Sequence, residues 1–332
     1  MNLTTQGPEL LAVEDLRVFF KSRRGIVKAV DGVDFHIAPG EILALLGESG
    51  CGKSVTSLAL MGLIPPEIVA IGDGRILFRG QDLRGLPSAE LRELRGGAIA
   101  MIFQEPMTSL NPVLTVGRQI TETLLCHGKA EKDSARAKAV QLLQEVGIAE
   151  PERRFDAYPH ELSGGMCQRV MIAMAIACDP ELLIADEPTT ALDVTIQKQI
   201  LGLIHELRMR RKTAILLITH DLGVVAENAD RVAVMYAGRI VEEAPVGELF
   251  ANPAHPYSRG LLDSMPDIDQ QRDRLISIPG TVPDLARLPP GCAFAPRCPL
   301  ADSHCRSEAP PRRSLSSTRG VRCWKPLPGA VG

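Results

Sequence analysis

The sequence predicts an α/β fold, and three short segments carry this prediction. Residues 47–54 match the pattern G-x-x-x-x-G-K-[ST] between a strand-like apolar run and a helix-like segment. Residues 182–186 form another strand-like run that ends in acids, and residues 163–165 form a serine-glycine-glycine loop before a second helix-like segment. Because ligands of open α/β sheets bind where the strands end, we expect the acids at that edge.

The loop at residues 47–54 predicts a phosphate-binding site. Residues 41–46 supply the strand before it, and a helix is expected from Lys53 onward. Backbone N–H groups from Gly50 to Ser54 would cradle a β-phosphate, Lys53 would reach the β and γ oxygens, and Ser54 would bind Mg²⁺. The predicted binding set comprises Gly47, Ser49, Gly50, Cys51, Gly52, Lys53, Ser54 and Val55.

The second glycine-rich loop suits a γ-phosphate that approaches from outside. Ser163 offers a hydroxyl, and Gly164 and Gly165 let backbone N–H groups come close to an anion. A helix expected to begin at Met166 would direct its positive end to the same anion. Since residues 47–54 already form one phosphate loop, the second loop predicts an ATP sandwiched between two chains.

The acids after the strand at residues 182–186 predict the hydrolytic part of the site. Asp186 would hold Mg²⁺ through its water shell. Glu187, one residue later, would act as the general base that polarises the attacking water. Either acid alone would more often be a solvated strand end, but the two phosphate-facing loops favour the functional interpretation.

Three further residues have both a functional and a structural interpretation. Gln104 follows a strand-like run and is either a polar strand end or a contact to Mg²⁺ or the attacking water. Asp193 is placed to N-cap the helix that follows it. His220 follows the strand-like run at residues 214–219 and is either a structural imidazole or a contact to the γ-phosphate.

Taken in order along the chain, these motifs resemble the nucleotide-binding subunit of an ATP-binding-cassette (ABC) transporter. The resemblance implies a P-loop NTPase fold of the ABC cassette type, with a RecA-like core, an antiparallel N-terminal sheet, an inserted helical subdomain and a small C-terminal extension. It makes residues 47–54 the Walker A loop, Gln104 the Q-loop and residues 163–165 the signature loop. It also assigns the Walker B acid to Asp186, the catalytic base to Glu187, the D-loop to Asp193 and the switch histidine to His220. Met166 departs from the glutamine of the usual signature, but Ser163 and the backbone donors are retained.

An aromatic side chain that stacks on adenine is expected in the N-terminal strand. By alignment with ABC cassettes we favour Phe20 over Phe19. Because neighbouring residues of a strand point to opposite faces, only one of the two can stack on the base. A core position is the alternative for either phenylalanine.

Other segments narrow the resemblance to the ATPases of oligopeptide and dipeptide permeases. Residues 101–112, 158–162 and 252–258 resemble that family, and the match extends from about residue 10 to residue 325. The chain looks most like a D-type ATPase subunit with a C-terminal cysteine extension. The resemblance implies an ATPase that powers uptake of dipeptides or oligopeptides as part of a multi-subunit importer.

The same resemblance implies partners and a location. A second, related ATPase would complete the ATP sandwich, and two membrane-spanning permease subunits would receive peptides from an extracytoplasmic peptide-binding protein. The chain would then lie peripherally on the cytoplasmic face of the inner membrane. Alternatives are an importer of nickel or another small solute, a non-transport ABC ATPase and a binding-only cassette. An intact Glu187 and His220 argue against the last of these.

Composition and segment boundaries agree with a globular ATPase. The 332 residues are 45% hydrophobic and 23% charged, and a net charge of −3 gives no nucleic-acid signature. Neither a signal peptide nor a transmembrane segment is expected, so membrane association would come through partners. We expect a nucleotide-binding domain at residues 1–250, with a helical subdomain inserted at 106–160, and an extension at 251–332.

Four of the eight cysteines lie in the extension. Cys292, Cys298, Cys305 and Cys323 have the spacing C-x5-C-x6-C-x17-C, which differs from the paired C-x2-C of a zinc ribbon. Disulfides are disfavoured in a cytosolic protein, and similar extensions in peptide-permease ATPases imply a [4Fe–4S] cluster. Zinc and free thiols are the alternatives, and His304 could substitute for one of the ligands. Because the cysteines are remote in sequence from the nucleotide motifs, we expect ATP binding to be independent of them.

Overall fold

The computed structural model describes residues 9–23, 25–189, 193–265 and 277–329. The chain divides into two compact units. The first unit contains Met1–Ala38, Ile42–Arg84 and Thr219–Gly332, and the second contains Pro39–Glu41 and Gly85–Ile218. Each unit is described by itself below.

The strands form one antiparallel sheet, one mixed series that is mainly antiparallel, and one parallel series. Their bounds are β1 Leu11–Ser22, β2 Gly25–Ile37, β3 Ile42–Leu46, β4 Val69–Phe78, β5 Gln81–Asp82, β6 Ile99–Ile102, β7 Leu182–Asp186, β8 Ala214–Thr219, β9 Arg231–Tyr236, β10 Arg239–Pro245, β11 Arg313–Ser314 and β12 Gly320–Val321. The first unit holds the antiparallel sheet β2-β1-β4-β5 and the strand series β11-β12-β10-β9-β3, whereas β8, β7 and β6 are neighbours in the second unit. The predicted antiparallel N-terminal sheet is therefore present.

The helices lie mostly in the second unit and in the extension. Their bounds are α1 Lys53–Leu60, α2 Ser88–Leu94, α3 Pro106–Ser109, α4 Val116–Cys126, α5 Lys132–Glu145, α6 Pro151–Phe155, α7 Gly164–Ile176, α8 Val194–Arg211, α9 Leu222–Asn228, α10 Val246–Ala251, α11 Pro256–Asp263 and α12 Ser303–Ser307. Helices α3 to α6 fall within the segment predicted as an inserted helical subdomain. Helix α5 ends at Glu145, and Gly147, two residues later, has the left-handed φ of 74° that is typical of the residue closing a helix.

The strands that precede the functional loops are buried along their whole length. Every residue of β3 and of β7 is buried, and each strand is a continuous apolar run up to its last residue or two. Such runs are typical of parallel strands covered on both faces. In pairing, β3 is parallel to β9, and β7 is parallel to both β6 and β8. The strand predictions at residues 41–46 and 182–186 are confirmed.

The core of the first unit continues across the expected boundary near residue 250. Strands β9 and β10 form a hairpin around Ala237 and Gly238, whose φ angles of 46° and 82° suit a type I′ turn. Tyr236 of this hairpin, Tyr257 of α11 and Phe294 of the extension are buried in one cluster. Strand β12, which belongs to the extension, pairs with β10 opposite Glu242 and Glu243. Among the described residues, we find no helix with the length and apolar character needed to cross a membrane.

Candidate nucleotide-binding and hydrolysis site

The phosphate loop of the first unit connects β3 to α1, as predicted. Helix α1 begins at Lys53, and Gly52 before it has a φ of 112°. Lys53 is only 4% exposed, and its Nζ donates to the carbonyl oxygens of Gly47 at 2.7 Å and Glu48 at 3.2 Å. The amine therefore lies along the loop, at the N-terminal end of a helix, where positive partial charge accumulates.

Two glycines of this loop are required by close backbone approach. A Cβ atom on Gly47 would lie 2.3 Å from the carbonyl oxygen of Met235. A Cβ atom on Gly52 would lie 2.2 Å from the carbonyl oxygen of Ala29, at a φ that disfavours other residues. The glycine pattern of the motif therefore follows from the packing of the loop against β2 and β9.

Cys51 is fully buried beneath the loop, and burial raises the pKa of its thiol. Its backbone N–H donates to the carbonyl oxygen of Glu48 at 3.3 Å. A buried, protonated thiol is suited to packing and not to chemistry. The predicted contribution of Cys51 to a nucleotide site is accordingly limited to its backbone.

The two phenylalanines of β1 differ in burial. Phe19 is 8% exposed and carries the Lys28 ammonium 5.6 Å from its ring centroid, whereas Phe20 is half-buried. The pairings of β1 shift register at Phe19, so regular strand alternation is not kept there, but burial still distinguishes the two rings. This difference in burial leaves Phe20 as the ring available to a ligand.

In the second unit, the end of β7 brings Asp186 and Glu187 together with Gln104. Asp186 is 3% exposed and Glu187 is 9% exposed, although both are acids. Gln104 Nε2 donates to Glu187 Oε2 at 2.9 Å. The amide thus holds the carboxylate in one orientation, which the sequence spacing of 83 residues did not reveal.

Glu187 also has an uncommon backbone conformation. Its φ is 47°, in the left-handed region that L residues enter at a cost in conformational energy. Its N–H donates to the carbonyl oxygen of Ile218 at 2.9 Å. Non-glycine residues held in this region cluster at functional sites. Together with burial, this strain distinguishes Glu187 from an ordinary solvated strand end.

The signature loop caps the helix that follows it. Ser163 is the N-cap of α7, and its Oγ accepts from the Met166 N–H at 3.3 Å. Helix α7 thus begins at Gly164, two residues before the predicted start. Ser163 and Gly164 are exposed, while a Cβ on Gly165 would lie 3.2 Å from Ile196 of α8. The loop presents its hydroxyl and helix terminus outward.

Asp193 and His220 lie at loop ends in different units. Asp193 is exposed and caps α8, since its Oδ1 accepts from the Ile196 N–H at 2.9 Å. This hydrogen bond agrees with the interpretation of Asp193 as the N-cap of the helix. His220 is exposed directly after β8, followed by Asp221, which caps α9. Residues 190–192 of the D-loop lie outside the described residues.

Contacts from the extension to the phosphate loop were not predicted. The hydroxyl of Tyr257 accepts from the Glu48 N–H at 3.1 Å, and the Arg297 guanidinium pairs with the Glu48 carboxylate at 2.7 Å. Arg297 lies 249 positions from Glu48 in the sequence. No motif or periodicity marks a pair at such a separation, so only the folded chain reveals it.

The predicted [4Fe–4S] cluster is not supported. Cys292, Cys298, Cys305 and Cys323 line one cavity, but its volume of about 20 Å³ has room for little more than one water molecule. In the part of the chain that is described, no group of three or more His, Cys, Asp or Glu residues could hold a metal ion. Neither a cluster nor zinc therefore fits the site with its side chains in these positions.

Burial also favours the protonated form of three of these thiols, those of Cys292, Cys298 and Cys323. It raises the pKa of Cys323 to about 11, and it raises the pKa values of Cys292 and Cys298 as well. Metal binding would have to displace these protons.

Comparison with known proteins agrees with this arrangement. Residues 30–190 match the family described as "ABC transporter", and residues 241–305 match "Oligopeptide/dipeptide transporter, C-terminal region". The chain is 54% identical over 317 residues to the probable peptide ABC transporter ATP-binding protein y4tR of Sinorhizobium fredii, covering 95% of each chain. It is 55% identical over 315 residues to the oligopeptide transport ATP-binding protein AppD of Bacillus subtilis, covering 95% of this chain and 96% of AppD.

A solved structure shares the fold. It is described as a dimeric post-hydrolysis state of the ATP-binding cassette MJ0796 bound to ADP and Pi, and it is 26% identical with a TM-score of 0.64. The match covers 71% of this chain and 98% of that chain, which confirms the predicted cassette fold. The chain therefore belongs to the ABC transporter family, among the ATP-binding subunits of oligopeptide and dipeptide transporters, and is an ATPase of that family.

Proposed function

We propose that this chain hydrolyses ATP to power the uptake of dipeptides or oligopeptides by a multi-subunit importer. The observation that carries the proposal is the buried carboxylate of Glu187 at the end of β7, held by Gln104 beside Asp186. The names of the relatives, which describe peptide and oligopeptide transport, favour peptides over nickel as the solute. They equally favour transport over a non-transport role.

ATP is assigned to the phosphate loop of this chain. The backbone of residues 47–55 and the amine of Lys53 would bind the phosphates, and Phe20 would stack on adenine. Lys53, at the start of α1 and already aligned along the loop, supports this assignment. Ser49 and Val55 belong to the same set by position.

The chemistry of their side chains assigns roles in hydrolysis to Ser54, Gln104, Asp186, Glu187 and His220. Mg²⁺, when bound with ATP, would neutralise charge on the phosphates, and the hard oxygens of Ser54, Gln104 and Asp186 suit it as direct or water-mediated ligands. Glu187 would accept a proton from the attacking water as general base. His220, exposed at the end of β8, would contact the γ-phosphate.

A partner ATPase completes the site in this proposal. ABC ATPases of this kind work as dimers with membrane permease subunits, and the matched cassette of known structure is described as dimeric. The exposed Ser163–Gly165 loop would cover the γ-phosphate bound by a second, related ATPase, with Asp193 beside the interface. Hydrolysis and phosphate release would then separate the two chains.

The membrane subunits would dock on the second unit near the Q-loop. Phe103, Met107, Val113 and Tyr158 are between 36% and 74% exposed, an unusual group of apolar side chains for a surface. Two membrane-spanning permease subunits, supplied by an extracytoplasmic peptide-binding protein, would bind here. We accordingly propose a peripheral position on the cytoplasmic face of the inner membrane.

The transport role is tested by peptide uptake in cells or vesicles that hold the complete importer. Lys53→Ala removes the amine that would bind the β and γ oxygens, so uptake and peptide-stimulated ATP hydrolysis should both be lost. Lys198→Ala, a change at another lysine of the chain, should leave uptake near the wild-type rate. Unchanged peptide uptake with Lys53→Ala would contradict the proposal.

We also propose that Cys292, Cys298, Cys305 and Cys323 hold a metal centre when one is supplied, which requires their side chains to leave the positions described above, with [4Fe–4S] as the first candidate and zinc as the second. The convergence of Cys292, Cys298, Cys305 and Cys323 on one cavity supports this. Protein purified without oxygen should carry about four irons and four acid-labile sulfides per chain. One zinc without sulfide would favour the zinc alternative, and a metal-free protein would leave four ordinary thiols.

A further inference from the structure

A residue of the C-terminal extension forms an ion pair with the phosphate loop. Arg297 Nη1 donates to Glu48 Oε2 at 2.7 Å, and Nη2 donates to Glu48 Oε1 at 3.1 Å. Glu48 is the second residue of the loop, directly after Gly47. Both residues belong to the first unit. This two-bond geometry is the strongest form of arginine–carboxylate pairing.

The guanidinium of Arg297 is held on its other side as well. Its Nε donates to the carbonyl oxygen of Pro279 at 3.0 Å, and Nη1 lies 3.4 Å from the hydroxyl of Tyr236. The side chain is 4% exposed. The hydrogen bond that Arg297 donates to the Glu48 carboxylate raises the pKa of Arg297 above its usual range. Arg297 is therefore a fixed, permanently charged partner for Glu48.

The backbone of Glu48 is held by the extension at the same time. The hydroxyl of Tyr257 accepts from the Glu48 N–H at 3.1 Å. Tyr257 is fully buried, with ring centroids 4.6 Å from Tyr236 and 5.4 Å from Phe294. A rigid aromatic cluster thus fixes the main chain of Glu48 while Arg297 fixes its side chain.

Fixing Glu48 also fixes the lysine of the loop. The carbonyl oxygen of Glu48 accepts from Lys53 Nζ at 3.2 Å and from the Cys51 N–H at 3.3 Å. We propose that Arg297 is a positioning residue for ATP, which acts through Glu48 to hold the phosphate loop in its binding conformation. This inference rests on the proposed function, because it takes the loop at residues 47–54 as the ATP site.

Because Glu48 is charged, the direction in which ATP affinity changes when that charge is removed tests the proposal. A carboxylate beside a phosphate site repels ATP, so a purely electrostatic role predicts that Glu48→Gln tightens ATP binding. If the ion pair instead positions the loop, Glu48→Gln releases the loop and weakens binding. The two explanations therefore predict opposite changes for the same substitution.

The experiment measures the Kd for ATP with Mg²⁺ on the full-length chain by titration calorimetry. We expect Glu48→Gln to weaken binding by roughly tenfold, which corresponds to about 1.4 kcal/mol. Arg297→Gln should weaken it at least as much, and the double variant no further than Arg297→Gln alone, because both changes remove one interaction. Arg312→Gln, which breaks an ion pair between the extension and Glu243, should change the Kd by less than about twofold.

Thermal unfolding of each variant, measured without nucleotide, shows whether a loss of ATP binding comes from a mispositioned loop or from an unfolded chain. If Arg297→Gln does not fold, Glu48→Gln decides the matter, since its side chain is 31% exposed and tolerates the change. Unchanged or tighter ATP binding by Glu48→Gln would overturn the positioning role. Lys53→Ala distinguishes this failure from a wrong ATP site: wild-type affinity in Lys53→Ala would overturn the proposed function itself.

Discussion

Glu187 combines three properties that rarely coincide in an acid. It is 9% exposed, its φ is 47°, and it accepts a hydrogen bond from Gln104 at 2.9 Å. A carboxylate in this position is held ready to accept a proton in a single direction. The sequence predicted its role from the strand that precedes it, but not the backbone strain or the glutamine contact. Those depend on β6 and β7 lying side by side, which spacing alone does not reveal.

The glycines of the phosphate loop provide a prediction at the scale of single residues. Gly52→Ala would place a Cβ 2.2 Å from the Ala29 carbonyl oxygen at a φ of 112°. We expect it to lower the free energy of unfolding by at least about 2 kcal/mol, because backbone strain and overlap add. Gly50→Ala is the matched control: its φ of 78° is also positive, but no atom lies within 4 Å of the new Cβ.

Chemical denaturation of the nucleotide-free chain checks this prediction. Gly50→Ala should cost about 1 kcal/mol, the cost of a left-handed conformation alone. Equal losses in the two variants would mean that close packing against β2 does not determine the glycine at position 52.

Helix α7 shows how an element prepares a site for a partner. Ser163 caps the helix and is exposed, so the same side chain ends the helix and faces outward. The strand predictions and the start of α8 were reliable because each element carries its own signal: apolar runs for β3 and β7, and a capping residue for α8. The start of α7 differed by two residues, since Gly164 and Gly165 continue the helix although their sequence suggests a loop.

Replacing Ser163 by Asp tests the outward role of this loop. Aspartate caps a helix about as well as serine, so the unfolding free energy should change by less than about 0.5 kcal/mol. The added negative charge would face the partner's γ-phosphate, so ATP-driven association with the partner and peptide uptake should be lost. ATP affinity of the isolated chain should remain, as measured by calorimetry.

Ser163→Asn is the matched control, because asparagine caps the helix without the charge. We expect it to retain substantially more transport than Ser163→Asp. Weak ATP binding by isolated, folded Ser163→Asp would instead place Ser163 in the chain's own nucleotide pocket.

Across the whole molecule, the extension is built into the first unit and is not an appendage. Phe294 joins the core of β9 and β10, β12 pairs with β10, and Arg297 reaches the phosphate loop. Sequence separation suggested that the cysteines and the ATP site are independent. That prediction stays untested, but in the folded chain Cys298 directly follows Arg297, which pairs with Glu48 of the phosphate loop. A change at the cysteines is therefore expected to reach Glu48.

The order of motifs along the chain predicted the fold and the family, because each motif is local and its chemistry requires a fixed spacing. Contacts between distant segments could not be predicted in this way. The pairing of Arg297 with Glu48 and the burial of Tyr257 arise only when the extension folds onto β9 and β10. The expected cluster rested on cysteine spacing and on the resemblance to peptide-permease ATPases, and neither determines how the four thiols are arranged in this chain.

The central claim is that this chain is an ATPase with Glu187 as its catalytic base. Its most direct test is ATP turnover by the assembled importer carrying Glu187→Gln in this chain. Glutamine keeps the size and hydrogen-bonding capacity of the side chain, so ATP should bind with wild-type affinity. Turnover at this chain's site should fall by roughly 10²- to 10⁴-fold, the usual contribution of a general base. A normal rate at that site, with ATP binding intact, would contradict the account.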